Sequence, residues 1–254
     1  MRSLQFQFKL YLKLVALKRA AAADEEGSDQ MAEEDPVSLR SSAPMMDSHL
    51  FSDDAMMSKF RFIVELDRLK TIFRRTLLLD KSRAENDAEH SWEMAAMALV
   101  LHSYAEPGTD LLRVLKMLII HDLVEIDAGD TYVYDEKAAR DQTEREAAAA
   151  SRIFGLLSDP ERADLYALWR EFEDRLTPEA RFARALDRLQ PLLHNYCTEG
   201  EVWRRDAIRA SHVRQVIRVI GEASAALGAL ADRLLEAAIE KGYLMMDATP
   251  NGVR

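Results

Sequence analysis

The sequence predicts an all-α fold, a single helical domain behind a polar N-terminal extension, on three observations. Only nine Gly and seven Pro interrupt 254 residues, while the strong helix formers Ala, Leu and Glu abound. From about Ser58 onward, apolar residues recur at the spacing of a buried helical face. No alternating strand pattern of useful length and no internal repeat competes with that reading.

Taken in order, residues 1–55 form the extension. Residues 1–23 carry Arg2, Lys9, Lys13, Lys18 and Arg19 and no acid, so they hold +5 of a net −10 and leave −15 to the rest. Leu10, Leu14 and Leu17 share one face of an amphipathic helix, and the lack of acids resembles an organelle transit peptide. A non-functional extension is the other reading, since Met45, Met46, Met56 and Met57 offer later starts. Asp24 to Asp54 holds ten acids against Arg40. With so few apolar groups, this stretch is expected to be a disordered linker.

The domain is placed at 56–245, with a tail at 246–254. Phe60, Ile63, Val64, Leu66, Leu69, Ile72, Phe73 and Leu77 follow the 3.6-residue period of one buried helix. Asn86 and Glu89 have the spacing of a capping box and open a helix running to about Tyr104, before Pro107-Gly108. A further helix starts at Thr109 or Asp110, runs through Val124 and stops at Gly129. Because it is apolar almost all round, it is expected at the centre. Helices at 137–157, after Ser158-Asp159-Pro160 and after Thr177-Pro178-Glu179 follow. The Thr177 helix carries Phe182, Leu186, Leu189 and Leu193, and residues from Val202 to about Gly242 read as two more.

Composition limits the chemistry. No run approaches the ~18 apolar residues that span a bilayer, so no membrane partner is expected. Net charge −10 argues against general nucleic-acid binding, which rests on neutralising many phosphates. One cysteine, Cys197, removes disulfide frameworks and thiolate clusters. It is consistent with a cytoplasmic location, the transit-peptide reading of 1–23 being the organellar alternative. Any metal site must therefore use His, Asp and Glu.

Such residues interrupt the apolar faces at three places. His121-Asp122 and then Glu125 end the most apolar helix, where a buried carboxylate needs a cation or several donors. His90 lies four residues before Met94 and seven before Met97, on the inward face. Asp187, Gln190 and His194 form a polar stripe beside Leu186 and Leu189. Two imidazoles and two carboxylates suit a borderline or hard divalent ion: Mn, Co, Fe, Zn or Mg. Each piece alone has a plainer reading. His90 fits a satisfied core histidine, and Asp187 between Arg184 and Arg188 fits a surface ion pair.

Together, the order His, then His-Asp at the end of an apolar helix, then Asp on a later helix resembles the HD-domain superfamily of metal-dependent phosphohydrolases. The strings Arg83-Ala-Glu-Asn-Asp-Ala-Glu-His90-Ser-Trp, Lys116-Met-Leu-Ile-Ile-His121-Asp122-Leu-Val-Glu125-Ile-Asp-Ala-Gly-Asp130-Thr and Ala185-Leu-Asp187-Arg-Leu-Gln are similar to its 5′-deoxynucleotidase branch. The likeness covers about Phe60 to Glu240.

That resemblance implies metal ligands at His90, His121, Asp122 and Asp187. It implies an acidic pair, Glu125 and Asp130, that activates water or holds a second ion. It places a phosphate-gripping arginine at Arg75, or at Arg74 if the register slips by one. The family usually follows that arginine with Trp, where this chain has Thr76, so nucleotide selectivity stays open. His194 is either a pocket residue or a second-layer or surface histidine. The implied activity is hydrolysis of (deoxy)nucleoside 5′-monophosphates by a divalent-metal-dependent phosphomonoesterase, with a homodimer as the expected assembly. The alternatives are an HD phosphohydrolase of another small phosphorylated substrate and a catalytically silent metal-binding helical module. The cyclic-dinucleotide branch carries Gly-Tyr-Pro and the alarmone branch Glu-Asp, and this chain has Gly242-Tyr243-Leu244 and Glu125-Ile126 instead. For a triphosphohydrolase, the linear sequence shows no additional cationic pocket.

Overall fold

The computed structural model describes residues 53–247. The expectations for the extension and most of the tail lie outside them. Helix makes up 71% of the described residues, and the all-α reading holds with one small exception. Helix α1 is Asp54–Leu66, α2 Asp87–Leu101, α3 Leu111–Ile120, α4 Glu125–Ala128, α5 Gln142–Phe154 and α6 Glu161–Asp174. Then come α7 Pro178–Cys197, α8 Glu201–Arg205, α9 Ala210–Ala223 and α10 Ala225–Glu240. The exception is an antiparallel pair of strands, β1 Phe73–Leu77 and β2 Ala84–Asn86, in register at Phe73↔Asn86 and Leu77↔Ala84 with an irregularity between.

This pair corrects the first predicted helix. That helix is capped by the Asp53 side chain on the Met56 amide and ends at Leu66. A 3₁₀ turn at Asp67–Thr71 then leads into β1. Phe60, Ile63 and Phe73 are exposed, whereas Leu69 is buried. Spacing of apolar residues did not distinguish one continuous helix from a helix, a turn and a two-residue strand period.

The remaining boundaries follow local chemistry. The Asn86 side chain accepts from the Glu89 amide at 3.0 Å, and Glu89 accepts from the Asn86 amide at 3.2 Å, completing the capping box that starts α2. Thr177 caps α7, with Pro178 in its first turn. The expected continuous helix through Val124 is divided into α3, a 3₁₀ turn at His121–Val124 and the single turn α4. Gly129 then adopts φ 74°, a conformation that costs glycine little. Among the described residues three helices, not two, follow Gly200.

Helix α7 is the hub, in contact with α2, α3, α6, α9, α10 and β1. Its fully buried Phe182 and Leu186 share the core with Met94, Met117, Leu118, Ile153 and Phe172. Helices α9 and α10 meet at Gly221 and Gly228, where a Cβ on Gly228 would lie 2.4 Å from the Gly221 Cα. Helix α3 is not enclosed on every side as expected: Ile119 is 56% exposed, and α2, packed against it, leaves Trp92 73% exposed. No helix among the described residues is long and apolar enough to cross a membrane.

Candidate metal centre

Four elements bring the site together. The capping box puts His90 in the first turn and a half of α2, and the 3₁₀ turn after α3 holds His121 and Asp122. Helix α4 begins with Glu125, and α7 carries Asp187. All five side chains are buried.

Ligand atoms of His90, His121 and Asp187 lie within 4.8 Å of one another. His90 Nε2 is 3.2 Å from Asp187 Oδ1, and His121 Nε2 is 3.9 Å from the same oxygen. Asp122 Oδ1 lies 3.0 Å from His121 Nε2. The far ring nitrogens are occupied: His90 Nδ1 donates to Gln190 Oε1 at 3.1 Å, and His121 Nδ1 donates to the Leu118 carbonyl at 3.0 Å. Each ring is thereby held with its Nε2 lone pair turned inward, the arrangement that orients metal-ligating histidines.

Polar bookkeeping supports a fit to a divalent ion. Glu125 Oε2 is buried without a hydrogen-bond partner, a condition that costs ~1–3 kcal/mol, and His121 Nε2 faces only the carboxylate oxygens of Asp122 and Asp187. Burial and the Asp122 and Asp130 carboxylates push Glu125 up to about 11. Burial and Asp122 likewise raise Asp87 to about 9. So many carboxylates cannot all ionise together without a cation. His90 is carried down to about 4 by burial and by Arg74, so it presents a neutral ring at pH 7. Burial opposes ionisation of Asp187 as well, but Arg188 and Arg184 outweigh it and hold this carboxyl well below its ordinary range. For Asp122, burial is outweighed by His121 and Arg74.

The two arginines proposed for phosphate are separated by strand parity. Alternate residues of β1 face opposite sides, so Arg74 and Thr76 turn inward while Phe73 and Arg75 turn out. The Arg74 side chain is 12% exposed, its Nη1 3.1 Å from Asp122 Oδ2, 3.3 Å from Asp87 Oδ1 and 3.6 Å from Asp130 Oδ1. The Arg75 side chain is 55% exposed, 3.8 Å from Asp206 and over the Tyr132 ring. The structure thus brings Arg74, not Arg75, into the acidic cluster. His121, Asp122, Glu125, Asp130, Asp187 and Arg74 all line one cavity of about 170 Å³.

Sequence reasoning missed Asp87 and Glu85, both buried against Arg74. Their signal was the spacing at the end of an extended run, where residues two apart, Glu85 and Asp87, fall on one side. Arg184 and Arg188 do not form a surface pair with Asp187: the carboxylate is buried between them at 3.1 and 3.4 Å.

Residues 66–227 match the HD domain family. The chain is 29% identical over 147 residues to a Homo sapiens protein named 5′-deoxynucleotidase HDDC2, covering 58% of this chain and 71% of that protein. It is 32% identical over 114 residues to the Danio rerio protein of the same name, where the match covers 44% of this chain and 56% of the relative. Among solved structures, a predicted metal-dependent phosphohydrolase from Magnetospirillum magnetotacticum MS-1 is 50% identical. It aligns with a TM-score of 0.73 over 76% of this chain and 97% of that one. With a family match across most of the described fold and with paired histidines and aspartates meeting where three helical segments converge, the chain belongs to the HD domain family.

Proposed function

We propose that this chain is a hydrolase, a divalent-metal-dependent phosphomonoesterase that converts (deoxy)nucleoside 5′-monophosphates to nucleoside and phosphate. One observation carries the reading: inward-turned Nε2 atoms of His90 and His121 converge with Asp187, their outer nitrogens already bonded. The similar proteins named 5′-deoxynucleotidase supply the substrate class.

In this reading His90, His121, Asp122 and Asp187 hold the ion. Bound there, a divalent ion supplies Lewis acidity and lets water ionise near neutrality. Glu125, buried beside that position and ionised once a cation offsets the neighbouring carboxylates, would take the proton as water oxygen bonds to phosphorus. The ester P–O bond breaks, and Asp130 supplies a proton to the leaving alkoxide. Arg74 takes the phosphate-gripping role expected of Arg75, its planar fork matching phosphate oxygens. Glu125 and Asp130 as ligands of a second ion is the other assignment open to that pair.

The test is phosphate release by metal-stripped protein with single divalent ions restored, across ribo- and deoxyribonucleoside monophosphates and sugar phosphates. Deoxynucleotide turnover that Asp122→Ala lowers roughly 10³-fold or more is expected, because loss of a ligand removes the main electrostatic contribution. Turnover confined to sugar phosphates would overturn the substrate. No turnover despite tight metal binding would leave a silent module.

A homodimer is part of the proposal. Its support is the apolar face shared by α2 and α3, with Trp92, Leu99, Leu112 and Ile119 all exposed, since contiguous apolar patches commonly mark association surfaces. Sedimentation is expected to give twice the chain mass, and Trp92→Glu to give the monomer. A monomeric parent protein would rule the dimer out.

A further inference from the structure

Three arginines, Arg175, Arg184 and Arg188, lie together beside the metal centre. Arg184 and Arg188, one turn apart on α7, share a single carboxylate oxygen, Asp187 Oδ2. The other oxygen of that carboxylate faces His90 and His121. Arg184 also lies over the Phe172 ring, its Cζ 5.6 Å from the centroid, which fixes where it points. Arg175 follows α6 in the left-handed conformation, φ 56°, ψ 27°, a position that Gly or Asn fills with less strain. Among the described residues it makes no ion pair. Its guanidinium pKa is lowered first of all by Arg184, a sign that the two cations crowd each other.

All three arginines line the 170 Å³ cavity of the metal centre, and all three also line an adjoining cavity of about 340 Å³. The second cavity continues past Tyr134, His212 and Gln215, and Glu136 is the one acid among the described residues lining it. Glu146 and Glu173 accompany the three arginines on the metal-centre side, but around the second cavity three guanidinium groups meet one glutamate, an excess of positive charge. Partly buried cations such as Arg184 and Arg188 are costly unless an anion completes them, the exposed Arg175 adds a third charge beside them, and a phosphate group matches the guanidinium fork with charge-assisted, bidentate hydrogen bonds. The scissile phosphate is already faced by Arg74 in the first cavity. These arginines therefore surround room for another anion, connected to the site of hydrolysis.

We infer that Arg175, Arg184 and Arg188 form a subsite for a second phosphate group, so that preferred substrates carry a phosphate beyond the scissile one. The inference rests on the phosphomonoesterase reading and narrows its substrate class. The second phosphate belongs either to a 5′-diphosphate chain or to the sugar of a 3′,5′-bisphosphate. In both cases water oxygen bonds to the scissile phosphorus and the P–O bond to the rest of the substrate breaks. From the bisphosphate an ester is cleaved, giving inorganic phosphate and a 3′-phosphate with a free 5′-hydroxyl; from the diphosphate a phosphoanhydride is cleaved, giving inorganic phosphate and the 5′-monophosphate. The linear sequence hid the pocket because Arg175 ends one helix while Arg184 and Arg188 lie on the next.

The experiment compares a deoxynucleoside 5′-monophosphate, its 5′-diphosphate and its 3′,5′-bisphosphate on the full chain with metal restored. Kinetics is used for every ligand turned over and calorimetry for every ligand that is not. At least one two-phosphate ligand is expected to show a KM or Kd about tenfold below that of the monophosphate, the gain of one added charge-assisted contact. Which ligand gains tells chain from sugar. Arg175→Asn, chosen because Asn tolerates left-handed backbone, should bring the ratio close to one, with melting by circular dichroism confirming the fold. Equal values for all three ligands in the parent chain overturn the subsite but leave monophosphate turnover, and the phosphomonoesterase reading, standing. If Arg175→Asn weakens all three ligands equally, the arginine serves the scissile phosphate and the subsite is again overturned. Tenfold tighter, Arg175-dependent binding with no turnover of any ligand sustains the subsite and overturns the hydrolase reading.

Discussion

Among the described residues two clusters, one buried and one partly so, have the residue types and spacing of a metal site, and they differ in what already stands between their polar atoms. The first is His90, His121 and Asp187; the second is Glu85, Glu93 and His194. In the second, the Gln190 amide donates to Glu85 at 2.7 Å and to Glu93 at 2.8 Å. His194 spans Glu93 Oε2 at 2.9 Å and the Leu77 carbonyl at 3.2 Å. The His194 ring and the Gln190 amide thus engage both glutamates from within, and the one buried oxygen left without a hydrogen bond, Glu85 Oε2, lies 3.9 Å from Arg74 Nε. In the first, no amide stands between the converging atoms: His121 Nε2 faces only the Asp122 and Asp187 carboxylates, and His90 Nε2 faces Asp187. Composition and distance nominate both clusters, and what separates them is the Gln190 amide, which donates to both glutamates of the bracing network, whereas the ligand set leaves its nitrogens and carboxylate facing one another.

Gln190 joins the two, since its Oε1 accepts from His90 while its Nε2 serves the glutamates. A metal titration across three variants breaks or sharpens the contrast. His121→Ala should cause the largest loss, roughly 10³-fold in affinity, because a direct ligand goes. Gln190→Leu should cost about 10–100-fold, the range for partners that orient a ligating histidine. Gln190→Glu should recover part of that loss by keeping an acceptor for His90 Nδ1. Glu93→Gln should change affinity by less than about threefold, because the residue braces Gln190 and touches no ligand. Equal losses in Glu93→Gln and His121→Ala would dissolve the distinction and make the second cluster a metal site too.

The sequence showed the helical architecture and the His–His-Asp–Asp order because both rest on local signals: capping residues, prolines at helix starts, and charge interrupting an apolar face. The strand at Phe73–Leu77 was hidden because five residues flanked by apolar neighbours satisfy a helical period as readily as an alternating one. That ambiguity decided which arginine enters the site. Under helical spacing Arg74 and Arg75 differ by about 100°, whereas in a strand they are on opposite faces, and only tertiary pairing with β2 selects the strand. The Arg175–Arg184–Arg188 convergence and the Gln190 bridge were equally illegible, because each depends on contacts between separate elements.

The smallest expected effect tests the bracing network through pH. Burial alone would lower the pKa of His194, but its hydrogen bond to Glu93 outweighs that and raises it above 6.5. Glu93 is lowered below 4.5, chiefly by His194. A histidine with a raised folded-state pKa contributes stability that is fully present below the unfolded value and is lost as pH climbs through the folded one. The depressed glutamate contributes stability that is present above its unfolded value and is lost as pH falls through its folded one. The pair therefore stabilises the fold most between about pH 4.5 and pH 6.5. Compared with the parent chain, metal-stripped His194→Asn should melt lower by a few degrees in that window, about 1 kcal/mol. The gap should narrow toward pH 9, where the parent histidine has lost its proton. Thermal melts of both proteins at pH 5.5 and pH 9 give the comparison. A gap that widens with pH would mean that His194 works as a neutral ring, leaving Glu93 without its counter-charge and the second cluster as open to an ion as the first.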